Sequence, residues 1–263
     1  MAETVWINGE FIERGDARVS AFDAGLLHGV GLFETMTAAA GRVFMLDRHM
    51  ARLEHSTKEL GLTESLRVAA LGEAVERVVE RSGLGAGDAR ARVRLTITGG
   101  DLNLLEREAR SQTDPTIIIS VTPATSYPDE MFDKGVGVLI AAAKANPLNP
   151  FEGHKTLDYW WRLRALQEAA ARRMGEALVL QVTNHICGGA VSNLFAIKDG
   201  TLVTPLARGE EQPGAMGSPL MLGWSMVYRT LCASNRCSKS QRGLSNLSAL
   251  KDISWTPCLA FAK

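Results

Sequence analysis

Lys155 stands in "GHKTLDYWWRLRALQEAA", between the loop "NPLNPFEG" and a stretch rich in helix formers. A lysine there reads in two ways. Charged side chains are mostly solvated, so an ordinary surface ammonium explains it. A lysine kept in a pocket because its amine does chemistry explains it as well, since a fully hydrated ammonium is a poor nucleophile. The loop before it and Tyr159, Trp160 and Trp161 after it would supply that pocket, although the two tryptophans fit core packing better. Read as a helix start, the position sets a cation against the positive end of the helix dipole, which favours a special role. Metal chemistry has less support. Cys187, Cys232, Cys237 and Cys258 lack paired spacing, no CxxC or HExxH is present, and the five histidines are scattered, so no metal site is expected.

The elements that must position this lysine belong to a chain of 263 residues, long enough for a substantial core and for two modest domains. A hydrophobic fraction of 46% is that of an ordinary globular protein, and a formal net charge of zero gives no support to nucleic-acid binding. The polar start "MAETVWINGE" does not read as a signal peptide, and "VGVLIAAA" is far too short to span a bilayer. Unpaired thiols fit a cytoplasmic protein.

"VWINGEFI" predicts a hairpin turning at Asn8-Gly9, and "GLFETMTAAAGRVFML" two more strands around Gly41. "LDRHMARLEHSTKELG" predicts a helix with Asp47 as N-cap, Met50, Leu53 and Leu60 on one face, and Gly61 closing it. A second amphipathic helix ends at Gly83. "ARVRLTITGG" and "TIIISVTP" are β-branched strands. A linker is expected over 123–128, dividing an N-terminal domain (1–122) from a C-terminal one (129–263). In the second half "VGVLIAAA" predicts a buried strand and "TLDYWWRLRALQEAAARRMG" a helix of about five turns. "EALVLQV" predicts a strand and "NLFAIKDGTLVTP" a hairpin at Asp199-Gly200. Strands and helices mix without regular alternation, which favours two α+β domains over one doubly wound sheet.

"HKTLDYWW", "EALVLQV" and "GGAVSNLFAIKDGTLVTP", preceded by "INGEFI", "DAGLLHGVGLFETM" and "RHMARLEHS", resemble in order the fold-type IV pyridoxal-phosphate enzymes, the class IV aminotransferases. That family includes branched-chain aminotransferase, D-amino-acid aminotransferase and 4-amino-4-deoxychorismate lyase. The match runs from about Val5 to about Pro205. It implies a two-domain α+β architecture with a C-terminal cofactor-binding domain, pyridoxal 5'-phosphate as cofactor, an amino acid and a 2-oxo acid as substrates, and a homodimer. It gives Lys155 the catalytic role of bonding the cofactor aldehyde and moving a proton at the substrate Cα. Arg52 in "HMARL" matches the phosphate-binding arginine, whose planar fork suits phosphate oxygens. Tyr159, allowing a one-residue gap, matches the tyrosine that touches the cofactor ring oxygen. Ser192 and Asn193 match the turn near the cofactor. His28, Phe33 and Glu34 lie in the segment lining the substrate side. "LFETM" is closer to the lyase and D-amino-acid branches than to the branched-chain branch.

The chain departs from that pattern twice. A glutamate that keeps the cofactor's pyridine nitrogen protonated stands five residues before the asparagine of "NLF" in the family, and Gly188 occupies that cofactor position here. A water, Cys187 or another carboxylate is left to stand in for it. The second departure is the tail. Residues 218–263 hold eight of the sixteen serines and six Lys and Arg against the single carboxylate Asp252. The family's "GIT" or "GVT" phosphate turn has only Gly223 and Ser225 to imitate it, and nothing matches the second turn. Two readings of the tail stand: a frameshifted or degraded end that leaves the C-terminal domain incomplete, and a divergent functional one. The leading expectation is an aminotransferase acting on branched-chain or D-amino acids. The alternatives are the lyase and a catalytically impaired, non-enzymatic class IV scaffold.

Overall fold

The structure is a computed structural model that describes residues 4–63, 66–87, 89–101, 115–198, 201–203, 205, 225–229 and 255–258. The chain divides into two compact units, Met1–Ser126 with His154–Asp158, and Tyr127–Gly153 with Tyr159–Lys263. Lys155, drawn from the sequence into the C-terminal domain, therefore packs with the N-terminal unit.

The first unit opens with a hairpin, β1 (Thr4–Ile7) and β2 (Glu10–Glu13). Asn8 (φ 47°) and Gly9 (φ 106°) take the positive φ that such a turn requires. Then come α1 (Ala24–His28), β3 (Gly31–Ala39), β4 (Arg42–Val43), α2 (Leu46–Glu59), α3 (Val68–Ser82), β5 (Arg90–Thr98) and β6 (Ile117–Pro123). The strands form one antiparallel sheet in the order β2-β1-β6-β5-β3-β4. Side chains alternate across a strand. Hence Leu32, Met36 and Ala38 of β3, the odd-numbered apolar residues of β5, and Ile119 and Val121 of β6 share one face. Met50 and Leu53 of α2 and Leu71, Val75, Val78 and Val79 of α3 bury against them. α2 begins differently from expectation. Its N-cap is Met45 in the left-handed region with no side-chain cap, and Asp47 lies inside the first turn, where its charge still complements the helix dipole.

The second unit holds α4 (Asp129–Lys134), β7 (Val138–Ile140), α5 (Trp160–Ala171), β8 (Glu176–Leu180), β9 (Ile186–Gly189), β10 (Asn193–Lys198), β11 (Thr201–Val203), β12 (Ser225–Arg229) and β13 (Trp255–Cys258). They make a three-stranded sheet, β7-β8-β9, and a four-stranded one, β11-β10-β12-β13. α5 lays Ala165 and Ala169 on Ala177 and Val179 of β8, with Trp161 packed against that cluster. Two expectations are corrected here. β7 is an edge strand rather than a buried one, so Ile140 stays exposed. Trp160, proposed for the core, is 81% exposed. The expected Asp199-Gly200 turn and most of the tail lie outside the described residues. Among the described residues no helix is long and apolar enough to cross a membrane.

Candidate active site

The candidate site grows from the edge of β3. β4 pairs with β3 only at Ala38 and Ala39. The other end of that edge is taken by the segment carrying Lys155. Phe33 N–H donates to the Lys155 carbonyl at 2.9 Å, Leu157 N–H donates to the Gly31 carbonyl at 3.0 Å, and Leu32 bridges Thr156 in antiparallel fashion. Residues 155–157 are thus extended, and the helix that the sequence starts at Thr156 begins only at Trp160. The dipole argument for Lys155 lapses with that correction. What singles the lysine out instead is its partner: Nζ lies 4.4 Å from the centre of the Phe33 ring.

Phe33 is buried and faces away from α2 and α3, the opposite side of β3 from Leu32 and Met36. A second cation meets it there. The Arg94 guanidinium of β5 is 3.6 Å from the same ring centre, and its Nε donates to Thr96 Oγ1 at 3.2 Å. The ring face attracts both cations, and the cations in turn suit an anionic ligand.

On the helix side of β3 the next residue, Glu34, is 1% exposed. Arg52 of α2 grips its carboxylate with both Nε (2.6 Å to Oε1) and Nη2, and His49 Nδ1 donates to Oε2 at 2.8 Å. Burial alone would raise the Glu34 pKa. The hydrogen bonds from His49 and Arg52, with the Arg52 charge, outweigh burial and hold it below the ordinary carboxylate value. Glu34, expected to line the substrate side, is therefore committed to orienting Arg52. His28, the last residue of α1, is exposed.

The other expected positions lie in the second unit. Tyr159 is the residue before α5, with the Arg162 guanidinium 5.8 Å from its ring centre. Gly188 is the penultimate residue of β9, at φ 156°. Ser192 is buried and donates to Glu176 Oε2 at 2.7 Å. Asn193 opens β10 and lies in parallel register with Ser225, the first residue of β12. Ser192, Asn193 and Ser225 are thus brought to one end of neighbouring strands.

Sequence reasoning missed Glu176, whose carboxylate lies beside Gly189. A side chain on Gly189 would stand 2.9 Å from Glu176 Oε2, whereas one on Gly188 would face the Ser192 carbonyl at 3.4 Å. Gly188 pairs with Val179 and Gly189 with Leu178, so the two glycines present opposite faces. Glu176 therefore serves the face opposite the one on which position 188 would carry a side chain. Burial pushes its pKa up, against hydrogen bonds from Ser192 and from the backbone N–H groups of Ala177, Ala190 and Val191. The missed residues His49 and Arg94 had a weak signal, an "RH" pair ahead of Arg52 and an arginine at one of the polar positions of the alternation in "ARVRLTIT". Among the described residues no group of His, Cys, Asp and Glu is arranged to hold a metal ion.

The chain is similar to several known proteins. The family model described as amino-transferase class IV matches residues 31–216, stopping just short of the serine-rich tail. A putative branched-chain-amino-acid aminotransferase of Methanocaldococcus jannaschii is 32% identical over 201 residues, covering 76% of this chain and 67% of that protein. The aminodeoxychorismate lyase of Bacillus subtilis is 26% identical over the same shares. The crystal structure of the Escherichia coli branched-chain amino acid aminotransferase superposes with TM-score 0.71 at 28% identity, over 82% of this chain and 71% of that one. The 4-amino-4-deoxychorismate lyase of Pseudomonas aeruginosa gives TM-score 0.64 at 31% identity, over 78% and 71%. The chain spans about two thirds of the length of the curated relatives. The lysine segment on β3, the arginine of α2 and the family match, which starts at the first residue of β3, lead to one conclusion: the chain belongs to the class IV aminotransferase family.

Proposed function

We propose that the protein is a pyridoxal-phosphate-dependent aminotransferase that moves an amino group between an amino acid, of branched-chain or D-amino-acid type, and a 2-oxo acid. The observation that supports this reading is the Lys155 amine held against Phe33 at the edge of β3; the Arg52 guanidinium, fixed by Glu34 on the other side of that strand, is carried over from the family resemblance. An amine and a guanidinium are the groups that an aldehyde and a phosphate ester call for. When bound, pyridoxal phosphate supplies an aldehyde carbon that accepts amines and a ring that draws electrons from the substrate Cα.

The residues divide the remaining work. Lys155 would hold the cofactor through its aldehyde and, as a free amine, would carry the proton between the substrate Cα and the cofactor carbon. The buried Phe33 shields the amine on one side from water. Arg52, its fork oriented in advance by Glu34, holds the phosphate dianion. In the second unit Ser192, Asn193 and Ser225 are the remaining candidates for polar contacts to the cofactor, and Tyr159 for a contact to its ring oxygen. Gly188 supplies no carboxylate for the ring nitrogen. Turnover of ordinary amino acids is expected to be slow, each tenfold loss corresponding to about 1.4 kcal/mol of barrier.

Absorbance of the full chain with and without added pyridoxal phosphate, repeated on Lys155→Ala, tests the reading. A visible band is expected for the parent and absent in the variant, and borohydride followed by peptide mass mapping should place a pyridoxyl group on Lys155. A colourless parent would overturn the proposal and leave the non-enzymatic scaffold.

The lyase reading is favoured by the Pseudomonas aeruginosa structure at 31% identity. Both reactions begin with removal of the Cα proton and differ in what leaves next. Pyruvate released from aminodeoxychorismate without any amino acceptor would select the lyase.

A further inference from the structure

The segment that presents Lys155 is a short addition to a sheet edge. Its two backbone hydrogen bonds, Phe33 N–H to Lys155 O and Leu157 N–H to Gly31 O, are few to define a register. A slip of one residue in such a pairing sends every side chain to the opposite face. Here that slip would move the amine from the Phe33 face to the face packed against α2.

Side chains on both faces oppose it. Lys155 and Leu157 emerge on one side. Leu157 lies over Gly31, where a Cβ would come within 2.7 Å of Leu157 Cδ1, so only glycine leaves it room. His154 emerges on the other side, against α2. Its side chain is 5% exposed. Its Nδ1 is hydrogen bonded to Ser56 Oγ at 2.9 Å, its Nε2 is 3.7 Å from Glu59 Oε2, and its ring stacks on His55 with centres 6.3 Å apart. Ser56 lies four residues beyond Arg52 on α2, so the two share a helix face.

We propose that His154 is a positioning residue: its hydrogen bond to Ser56 on α2 fixes the register of the Lys155–Leu157 segment on β3, and with it the face on which the Lys155 amine emerges. The consequence for chemistry rests on the role proposed above for Lys155, while the register itself does not. A helix face that carries the candidate phosphate-binding Arg52 thereby also indexes the lysine.

The test uses the full chain and four proteins: the parent, His154→Ala, His154→Asn, whose amide reaches Ser56 where Nδ1 does, and Ser56→Ala. Amide hydrogen exchange at Phe33 and Leu157 is measured without cofactor, with Val93 of β5 as a control for global opening. The initial rate of borohydride-trapped pyridoxyl incorporation at Lys155 is measured separately. His154→Ala and Ser56→Ala are expected to speed exchange at Leu157 and Phe33 by about tenfold, as loss of one buried hydrogen bond implies. They should slow incorporation by a similar factor while Val93 stays protected, and His154→Asn should restore both. Should His154→Ala not fold, Ser56→Ala and His154→Asn carry the comparison. Parent-like exchange at Leu157 in Ser56→Ala, or a His154→Asn that exchanges as fast as Ser56→Ala, would overturn the proposal. A parent that takes no adduct on Lys155 would instead count against the proposed function, since the exchange data do not depend on cofactor.

Discussion

Each unit of the molecule buries a glutamate near the residues expected to do chemistry, and the two are handled in opposite ways. Glu34 sits between His49 and Arg52, whose hydrogen bonds and charge hold its pKa below the ordinary value despite burial. Glu176 meets only neutral donors, Ser192 and backbone N–H groups, and burial pushes its pKa up. The difference is the cation. A buried carboxylate beside a guanidinium stays charged and orients its partner, whereas one held by dipoles alone pays a desolvation penalty that favours the protonated form. The first arrangement fixes the fork of Arg52. The second ties the strand β8 to the turn leading into Asn193.

Variants can break or sharpen that contrast. The largest effect is expected from Glu34→Gln, which leaves Arg52 inside without a counter-charge and should cost about 3–5 kcal/mol in urea unfolding. Gly189→Ala comes next. Its methyl would overlap Ser192 Oγ and crowd Glu176, for a loss of about 1–3 kcal/mol in the same assay. Glu176→Gln keeps the shape and most hydrogen bonds of a neutral carboxyl group, so it should cost under about 1 kcal/mol. If Glu34→Gln proves as mild as Glu176→Gln, the contrast is wrong.

The pH dependence gives a smaller and sharper signal. The Glu34 pKa is depressed on folding, so its contribution is full above the unfolded-state pKa and is lost as pH falls through the folded one. The Glu176 pKa is raised, so its contribution is full below the unfolded-state pKa and is lost as pH rises through the folded one. Comparing each glutamine variant with the parent from pH 3 to 8 should show deficits of opposite slope. Parallel curves would mean that the two sites are electrostatically alike.

Much of the frame was legible because local chemistry decides it. Asn8-Gly9 fixes the first hairpin, Gly83 closes α3 in the left-handed conformation, and the alternation in β5 names its core face. What escaped the sequence depends on partners far along the chain. Residues 155–157 look like the start of a helix until β3 offers them backbone groups, and nothing local announces that. β9 consists of Ile186, Cys187 and two glycines, a poor strand by propensity that exists because β8 pairs with it. The grip of Arg52 on Glu34 links a strand to a helix with no periodicity to betray it. The resemblance could nominate Lys155 and Arg52, but it said nothing of the contact between the Glu34 carboxylate and the Arg52 guanidinium. Gly188 could be singled out from the motif, yet only the register shows that Glu176 attends the opposite face.

The loan of His154–Asp158 to the first unit also has a consequence for the order of synthesis. A nascent chain that has emerged as far as Ser126 already contains every strand of the six-stranded sheet, yet the Gly31–Phe33 margin lacks its neighbour. Until Leu157 leaves the ribosome, that margin presents open backbone groups to any passing strand. Expression of 1–126 alone should therefore yield a fragment that self-associates, and adding a peptide spanning 154–158 should suppress that association.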